Sequence, residues 1–304
     1  MGAYGAMKRL FFAVLVSSFV GLVSGALALP ARISSSTLRP LLVPHRAVYD
    51  LQLANKTHAV SVSDVEGRMV FELTGSACAG YTQRMRMITR IVDAQGKSTL
   101  LDARSKTFER GDGRTFRFSA RQYSNHELQE DVSGTARREE ATHRVSAEIE
   151  KPDRVKLDLP GDVLFPTQHS LALQRAAKAG QHHLDVRVYD GSEQGQGFYR
   201  SFSYIGHKRP PLIHANTGKG EAGLSRNSAK LAALGLSGLA SWPVAVSYFK
   251  ITQGAHDVLP VYELSFRLFA NGVSSDMLMN YGLFSVHGRL EQITYLPFVP
   301  CKRP

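Results

Sequence analysis

Apolar residues recur at every second position through most of this chain. Ala47, Tyr49, Leu51 and Leu53 share one parity, with Asp50 and Gln52 between them. Met69, Phe71 and Leu73 alternate with Arg68, Glu72 and Thr74. The stretch Tyr81 to Val92 is the most legible. Met85, Met87 and Ile91 fall on one face, and Arg84, Arg86 and Arg90 fall on the other. A period of two is the signature of an extended strand with one face buried. Further strands are predicted around Val60–Val65, Phe116–Phe118, Leu184–Val188, the aromatic run Phe198–Ile205, Val244–Ile251, Tyr262–Leu268, Met277–Met279 and Phe284–Leu296. Turn residues punctuate them: Asn55-Lys56, the Gly75 to Gly80 loop, Gly111-Asp112-Gly113, Ser133-Gly134, Asp190-Gly191 and Asn271-Gly272. Asn-Gly is the strongest hairpin signal of the set. The charged run Arg137–Lys151 reads as a solvated hairpin, because Val145, Ala147 and Ile149 alternate near its end.

One stretch breaks this rhythm. Between Leu159 and Gln181 the apolar residues Leu173, Ala176 and Ala177 fall at helical spacing. Pro166 is expected to block helix before Thr167, which would then cap the helix. Arg175 and Lys178 suit the last turn, and Gly180 is a stop signal. So short a helix is not stable alone and needs a surface to lie on. A second helix in Leu231–Leu239 would be short, since Gly235 and Gly238 interrupt it.

The prediction is therefore an all-β, mainly antiparallel protein of about a dozen or more strands with one principal helix. No βαβ rhythm and no internal repeat is evident. That many strands in one sheet must curl or close, so a spiral sheet or open barrel is expected. The helix would act as its lid or plug. Met85, Met87, Phe165, Leu171 and Leu173 are the candidate cavity or lid residues, and Arg84, Arg86 and Arg90 the candidate basic surface.

Composition adds a compartment. Met7-Lys8-Arg9 is followed by an apolar run from Leu10 to Val23 and by Ala26-Leu27-Ala28, the pattern of a secretory leader cleaved near Ala28/Leu29. The run is short for a membrane span of ~20 residues, and nothing later is long enough to span. Residues 1–28 are thus assigned to a cleaved leader and 29–304 to one domain, with 29–44 an irregular lead-in. The chain carries 37 basic and 26 acidic residues. Removing Lys8 and Arg9 leaves 35 against 26, a net charge of +9. Basic surfaces meet nucleic acid, anionic lipid or acidic polymers, and export removes nucleic acid from that set. The two cysteines, Cys78 and Cys301, both lie in the exported part. In an oxidising compartment such a pair forms a disulfide as a rule, and the alternative is a catalytic thiol.

Catalytic motifs are hard to find. No Gly-x-Ser-x-Gly occurs. Ser247 and Lys250 match Ser-x-x-Lys, but on a strand they point to opposite sides. His182 and His183 are adjacent and would diverge. No His-Glu-x-x-His occurs. His169 is expected to cap or pack the helix, and Asp162 to serve the turn beside Pro160-Gly161. No cofactor or metal is expected.

The order of several short blocks does carry a resemblance. His45-Arg46-Ala47-Val48-Tyr49, Gly75-Ser76-Ala77-Cys78, Pro160 to His169, Tyr189-Asp190-Gly191-Ser192-Glu193, Ser241-Trp242-Pro243-Val244, Asn271-Gly272-Val273 and Cys301 together resemble the EipB family of cell-envelope integrity proteins. The resemblance covers essentially the whole mature chain. It implies a soluble periplasmic protein of Gram-negative bacteria with a β-spiral fold like that of the periplasmic lipoprotein carriers. It also implies a disulfide between Cys78 and Cys301 and a role in envelope integrity and stress resistance. It suggests a periplasmic tetratricopeptide-repeat protein as a partner; the apolar and basic faces of Tyr81 to Val92 suggest a lipid or lipoprotein, and the chain is expected to be a monomer. It supplies no catalytic residue. The expected function is non-enzymatic binding of an envelope component through an apolar concavity with a basic rim. A scaffold with a filled core is the alternative, and an envelope hydrolase a further one.

Overall fold

A computed structural model describes residues 41–56, 62–212, 229–252, 255–256, 259–298 and 301. The leader and nearly all of the lead-in fall outside these residues. The strands are β1 (His45–Lys56), β2 (Val62–Ser76), β3 (Gly80–Asp93), β4 (Ser98–Glu109), β5 (Thr115–Ser124), β6 (Glu127–Arg138), β7 (Val145–Lys151) and β8 (Val155–Leu159). The helix α1 (Pro166–Lys178) follows. Then come β9 (His183–Tyr189), β10 (Phe198–Ile205), β11 (Ser241–Thr252), β12 (Ala255–His256), β13 (Tyr262–Phe269), β14 (Ser274–Asn280) and β15 (Phe284–Tyr295).

Fourteen of these strands form one continuous antiparallel path, from β8 back to β1, then β15 back to β9, with β12 paired to β11 alone. The sheet is two meanders joined at one seam. That seam is β1 against β15, in register from His45↔Tyr295 to Lys56↔Phe284. The sheet does not close into a barrel. Its two ends, β8 and β9, are successive in the chain, and the connection between them contains α1. Leu164 in that connection forms a parallel bridge to Val188.

The alternation is realised as burial. On β3, Tyr81, Gln83, Met87, Thr89 and Ile91 turn inward while Arg84, Arg86 and Arg90 are exposed. The main core gathers Leu51, Met69, Leu173, Trp242, Met277 and Leu290, among others, around the inner face. A second cluster stacks Phe116, Phe118, Phe165 and Tyr189.

Several expectations are corrected. Ser133-Gly134 is not a turn. Both residues lie within β6, where the ladder to β7 shifts register. Gly134 is needed there because a Cβ would stand 2.6 Å from the Phe118 ring. Asn55 and Lys56 belong to β1, and residues 57–61 lie outside those described. Trp242 and Pro243 are inside β11 rather than leading into it. Within Arg137–Lys151 the chain reverses between the end of β6 and β7, but Val145, Ala147 and Ile149 are buried rather than solvated. On β10 the aromatics split: Tyr199 is buried, whereas Phe202 and Tyr204 face outward, 39% and 56% exposed. Ser201 and Ser203 take the inward positions between Tyr199 and Ile205.

The helix also begins differently. Phe165 is its extended N-cap residue and Pro166 occupies the first helical position. A proline fits there because its missing N–H would have had no helical partner. At the other end Gly180, at φ +73°, lets Gln181 N–H reach Ala176 O at 3.0 Å and its own N–H reach Ala177 O at 3.2 Å. These two bonds form a Schellman stop.

Cys78, in the β2–β3 turn, is bonded to Cys301 just beyond β15, across a separation of 223 residues. On a chain-entropy argument, closing so long a loop stabilises the fold by about 5 kcal/mol. Cys78→Ser is therefore expected to remain folded with a Tm lower by on the order of 10 °C. Reductant should bring the unsubstituted protein to the same value in a melting experiment. Coincident melts of oxidised, reduced and substituted protein would show that the bond contributes nothing.

Candidate functional site

A sizeable opening in the inner face lies under α1. Parity along β1 turns His45 and Tyr49 inward, and parity along β2 turns Met69 and Phe71 toward the same space. Leu264 and Leu268 of β13 and Met277 of β14 supply the opposite wall, and Ser170, Leu173 and Gln174 of α1 form the roof. The result is a partly open cavity of about 60 Å³. It straddles the seam, since β1 and β2 belong to one meander and β13 and β14 to the other.

The polar atoms of the cavity are tethered to backbone. His45 Nδ1 lies 2.7 Å from Val43 O, and because a carbonyl only accepts, that nitrogen carries the proton. Burial pushes the His45 imidazole below its usual range and keeps it neutral. Tyr49 donates its hydroxyl to Ser274 O at 2.8 Å, and Ser170 donates to Pro166 O at 3.0 Å. Gln174 donates through Nε2 to Phe269 O at 2.6 Å. Its Oε1 is buried with no partner among the described residues.

The roof is held by a residue that motif reading missed. Glu109, at the end of β4, is buried and receives the N–H groups of Thr167 at 2.6 Å and Gln168 at 2.9 Å. Those amides are orphans of the first helical turn, and the positive end of the helix dipole faces the carboxylate. Gln83 of β3 adds a bond to Thr167 Oγ1 at 3.1 Å. Arg138 of β6 donates to Gly161 O and Val163 O, and its guanidinium sits 5.7 Å over the Phe165 ring. The parity of β4 was the available signal, because Glu109 is in phase with the buried Leu101 and Ala103. Thr167 is thus held by Glu109 rather than acting as the cap. His169 is fully buried in the helix, 6.3 Å from the Tyr248 ring. Asp162 pairs with Arg187 at 2.6 Å instead of bonding the adjacent turn.

Of the five predicted cavity residues, only Leu173 lines the opening. Met87 lines a separate space of about 10 Å³, large enough for a single water. Met85 is half-buried against the main core. Phe165 stacks on Phe116 at 5.2 Å in the second cluster, and Leu171 packs with Leu42, Leu73 and Tyr81. The predicted basic stripe is an ion-pair ladder. Arg84 meets Glu72 at 2.9 Å, Arg86 meets Asp102 at 2.8 Å and Arg90 meets Glu66 at 2.8 Å. None of the three lines the cavity. Such exposed pairs contribute about 0–1 kcal/mol each. Ser247 donates to Glu263 at 3.0 Å, and Lys250 pairs with Glu193. No helix among the described residues is long and apolar enough to cross a membrane.

Two buried carboxyls make stability depend on pH. Burial pushes Glu109 up to about 7, against the pull of the Thr167 and Gln168 amides. Burial likewise pushes Asp190 up to about 7, against the bonds from Ser192. An acid that keeps its proton longer in the folded chain stabilises the fold at low pH. That contribution is complete below about 4 and is lost as pH rises to about 7, at most about 3–4 kcal/mol for each group. Melting temperature is expected to fall between about pH 5 and pH 8. Glu109→Gln should make that slope shallower whatever its effect on the absolute value, and an unchanged slope would contradict the assignment.

A family model described as EipB-like matches residues 38–297. The cell envelope integrity protein EipB of Brucella abortus (strain 2308) is 32% identical over 252 residues, covering 83% of this chain and 84% of that protein. Among solved structures, a β-barrel-like protein of a domain of unknown function from Brucella abortus superposes with a TM-score of 0.72 at 32% identity. The match covers 84% of this chain and 99% of that one.

Proposed function

The chain belongs to the EipB-like family, and from that premise we propose that it is a non-enzymatic periplasmic factor that supports envelope integrity by holding a partner protein. The partner's apolar group enters the cavity under α1. The observation that carries this reading is the size and lining of that cavity. Sites for whole small molecules run to about 300–1,000 Å³, several times the 60 Å³ found here. A space of this size suits one side chain better than a lipid. The core around it is filled by Leu173, Met277 and their neighbours, which favours a scaffold with one recognition pocket over a lipid carrier. The cavity also lies on the seam between the two meanders, and each half of the chain contributes one wall.

Leu173→Trp tests the reading, because it fills the cavity from the roof at a cost of about 1–3 kcal/mol. A strain lacking the protein is complemented with the unsubstituted or substituted chain and challenged with detergent. The substituted protein, shown to be folded and exported at normal levels, is expected not to restore survival. Full restoration would mean that the cavity is not used. Acyl lipid recovered by mass spectrometry from the purified protein would favour the carrier reading instead.

A further inference from the structure

The outer face of the first meander gathers cations in rows. Arg86 of β3 stands directly across from Arg104 of β4, and Arg104 directly across from Arg121 of β5. In the next row Arg84 stands across from Lys106. Arg117 of β5 shares that face, with its guanidinium 5.3 Å over the Phe108 ring. Like charges directly opposite one another weaken a sheet, so strand pairing alone does not select this arrangement. Among the described residues, three carboxylates form ion pairs with these six cations. Glu72 meets Arg84 at 2.9 Å, and Asp102 is shared by Arg86 at 2.8 Å and Arg104 at 2.7 Å. Asp131 lies 3.4 Å from Arg121 but 2.9 Å from Lys151, a further cation. The one comparable opposition in the other meander, Arg187 against Arg200, is relieved by a carboxylate for each, Asp162 and Asp185. The outer face of β3–β5 therefore keeps a surplus of positive charge that its own sheet does not neutralise. Its four paired arginines remain 49–56% exposed in their side chains. Arg90, farther along β3, is matched by Glu66 and Asp64 and bounds the patch.

Apolar groups adjoin these cations. Tyr123 lies two residues beyond Arg121 on β5 and so on the same face. Leu128 of β6 stands opposite Tyr123 and is 53% exposed. The Arg104 guanidinium sits 5.0 Å over the Tyr123 ring. Arginines edged by a tyrosine and an exposed leucine fit the interface of an anionic bilayer. Guanidinium groups bind phosphate oxygens in pairs, tyrosine settles at headgroup level, and leucine enters the acyl boundary. An acidic polymer would satisfy the arginines and leave Leu128 in water. We propose that the outer face of β3–β6 is a docking surface for a membrane leaflet that carries anionic phospholipid, with Arg86, Arg104 and Arg121 on the headgroup phosphates and Leu128 at the acyl boundary. The cavity under α1 lies on the inner face of the sheet. The two surfaces do not overlap, and this inference stands apart from the cavity reading.

Vesicles test this without knowledge of any partner. The purified exported protein is sedimented with phosphatidylcholine vesicles and with vesicles that also carry phosphatidylglycerol. It is expected to bind the second and not the first, and to be released as salt shortens the Debye length. Arg104→Gln combined with Arg121→Gln should weaken partition by about ten- to thirty-fold, as two arginines near an anionic surface imply. A melt of the same variant shows that the fold is kept. Arg187→Gln combined with Arg200→Gln removes the same charge from the other meander and should change partition by less than about two-fold, because the attraction fades within a Debye length. Leu128→Ser should weaken partition and leave its salt dependence in place. Equal binding to both kinds of vesicle, or binding to neither, would overturn the proposal. So would an equal loss from the two arginine pairs, which would show attraction by net charge and not by this face. Polyglutamate bound as tightly as the vesicles, with no effect of Leu128→Ser, would assign the face to an acidic polymer instead.

Discussion

The pairing of β1 with β15 joins the two meanders, and the rest of the molecule depends on it. Within each meander, neighbouring strands follow one another in chain order. The seam needs His45 to meet Tyr295, which lies at the far end of the described chain. Bringing them together closes a loop of more than two hundred residues, at an entropic cost that rises only slowly with length. The ladder of β1 and β15 and the inward side chains of both strands, Tyr49, Leu51 and Leu290 among them, offset it. The cavity is a product of the same junction, because its two walls come from opposite sides of the seam.

The second constraint is the helix inside the curl. A single continuous sheet buries one face only if that face meets something. α1 supplies a compact apolar surface through Leu173, Ala176 and Ala177, with small residues where the sheet approaches closely. Its first turn has orphan amides that water cannot reach. Glu109 answers them from β4, so a charge-capable group is buried for a geometric reason. The roof of the cavity is thereby tied to a strand that does not itself line it.

The strands were legible because one-sided burial writes a period of two into the sequence. β3 and β13 follow it closely, and the helix showed in the spacing of Leu173, Ala176 and Ala177. The failures have physical causes. Ser133-Gly134 has turn composition, but Gly134 is there to clear the Phe118 ring. On β10, bulk does not mark the interior: parity with Tyr199 and Ile205 places Ser201 and Ser203 there and leaves Phe202 and Tyr204 outside. Glu109 has the inward parity of its strand, yet a carboxyl reads as solvent-facing until a helix end is known to lie against it. Of the cavity, only the helix as its roof and Leu173 were legible. It is assembled from β1, β2, α1, β13 and β14, and no local pattern records that these five meet.

The position of the disulfide has a consequence for how the chain is made. Cys78 leaves the ribosome 223 residues ahead of Cys301. During that interval its thiol has no mate, and β1 presents a bare edge of unpaired backbone groups, a template for wrong strand pairing. The first eight strands can assemble as a meander while the edge waits. Only a chain extended through β15 both covers the edge and delivers the second sulfur. A chain interrupted earlier carries an open edge and a free thiol together. The covalent lock thus closes only on a chain that already includes β15.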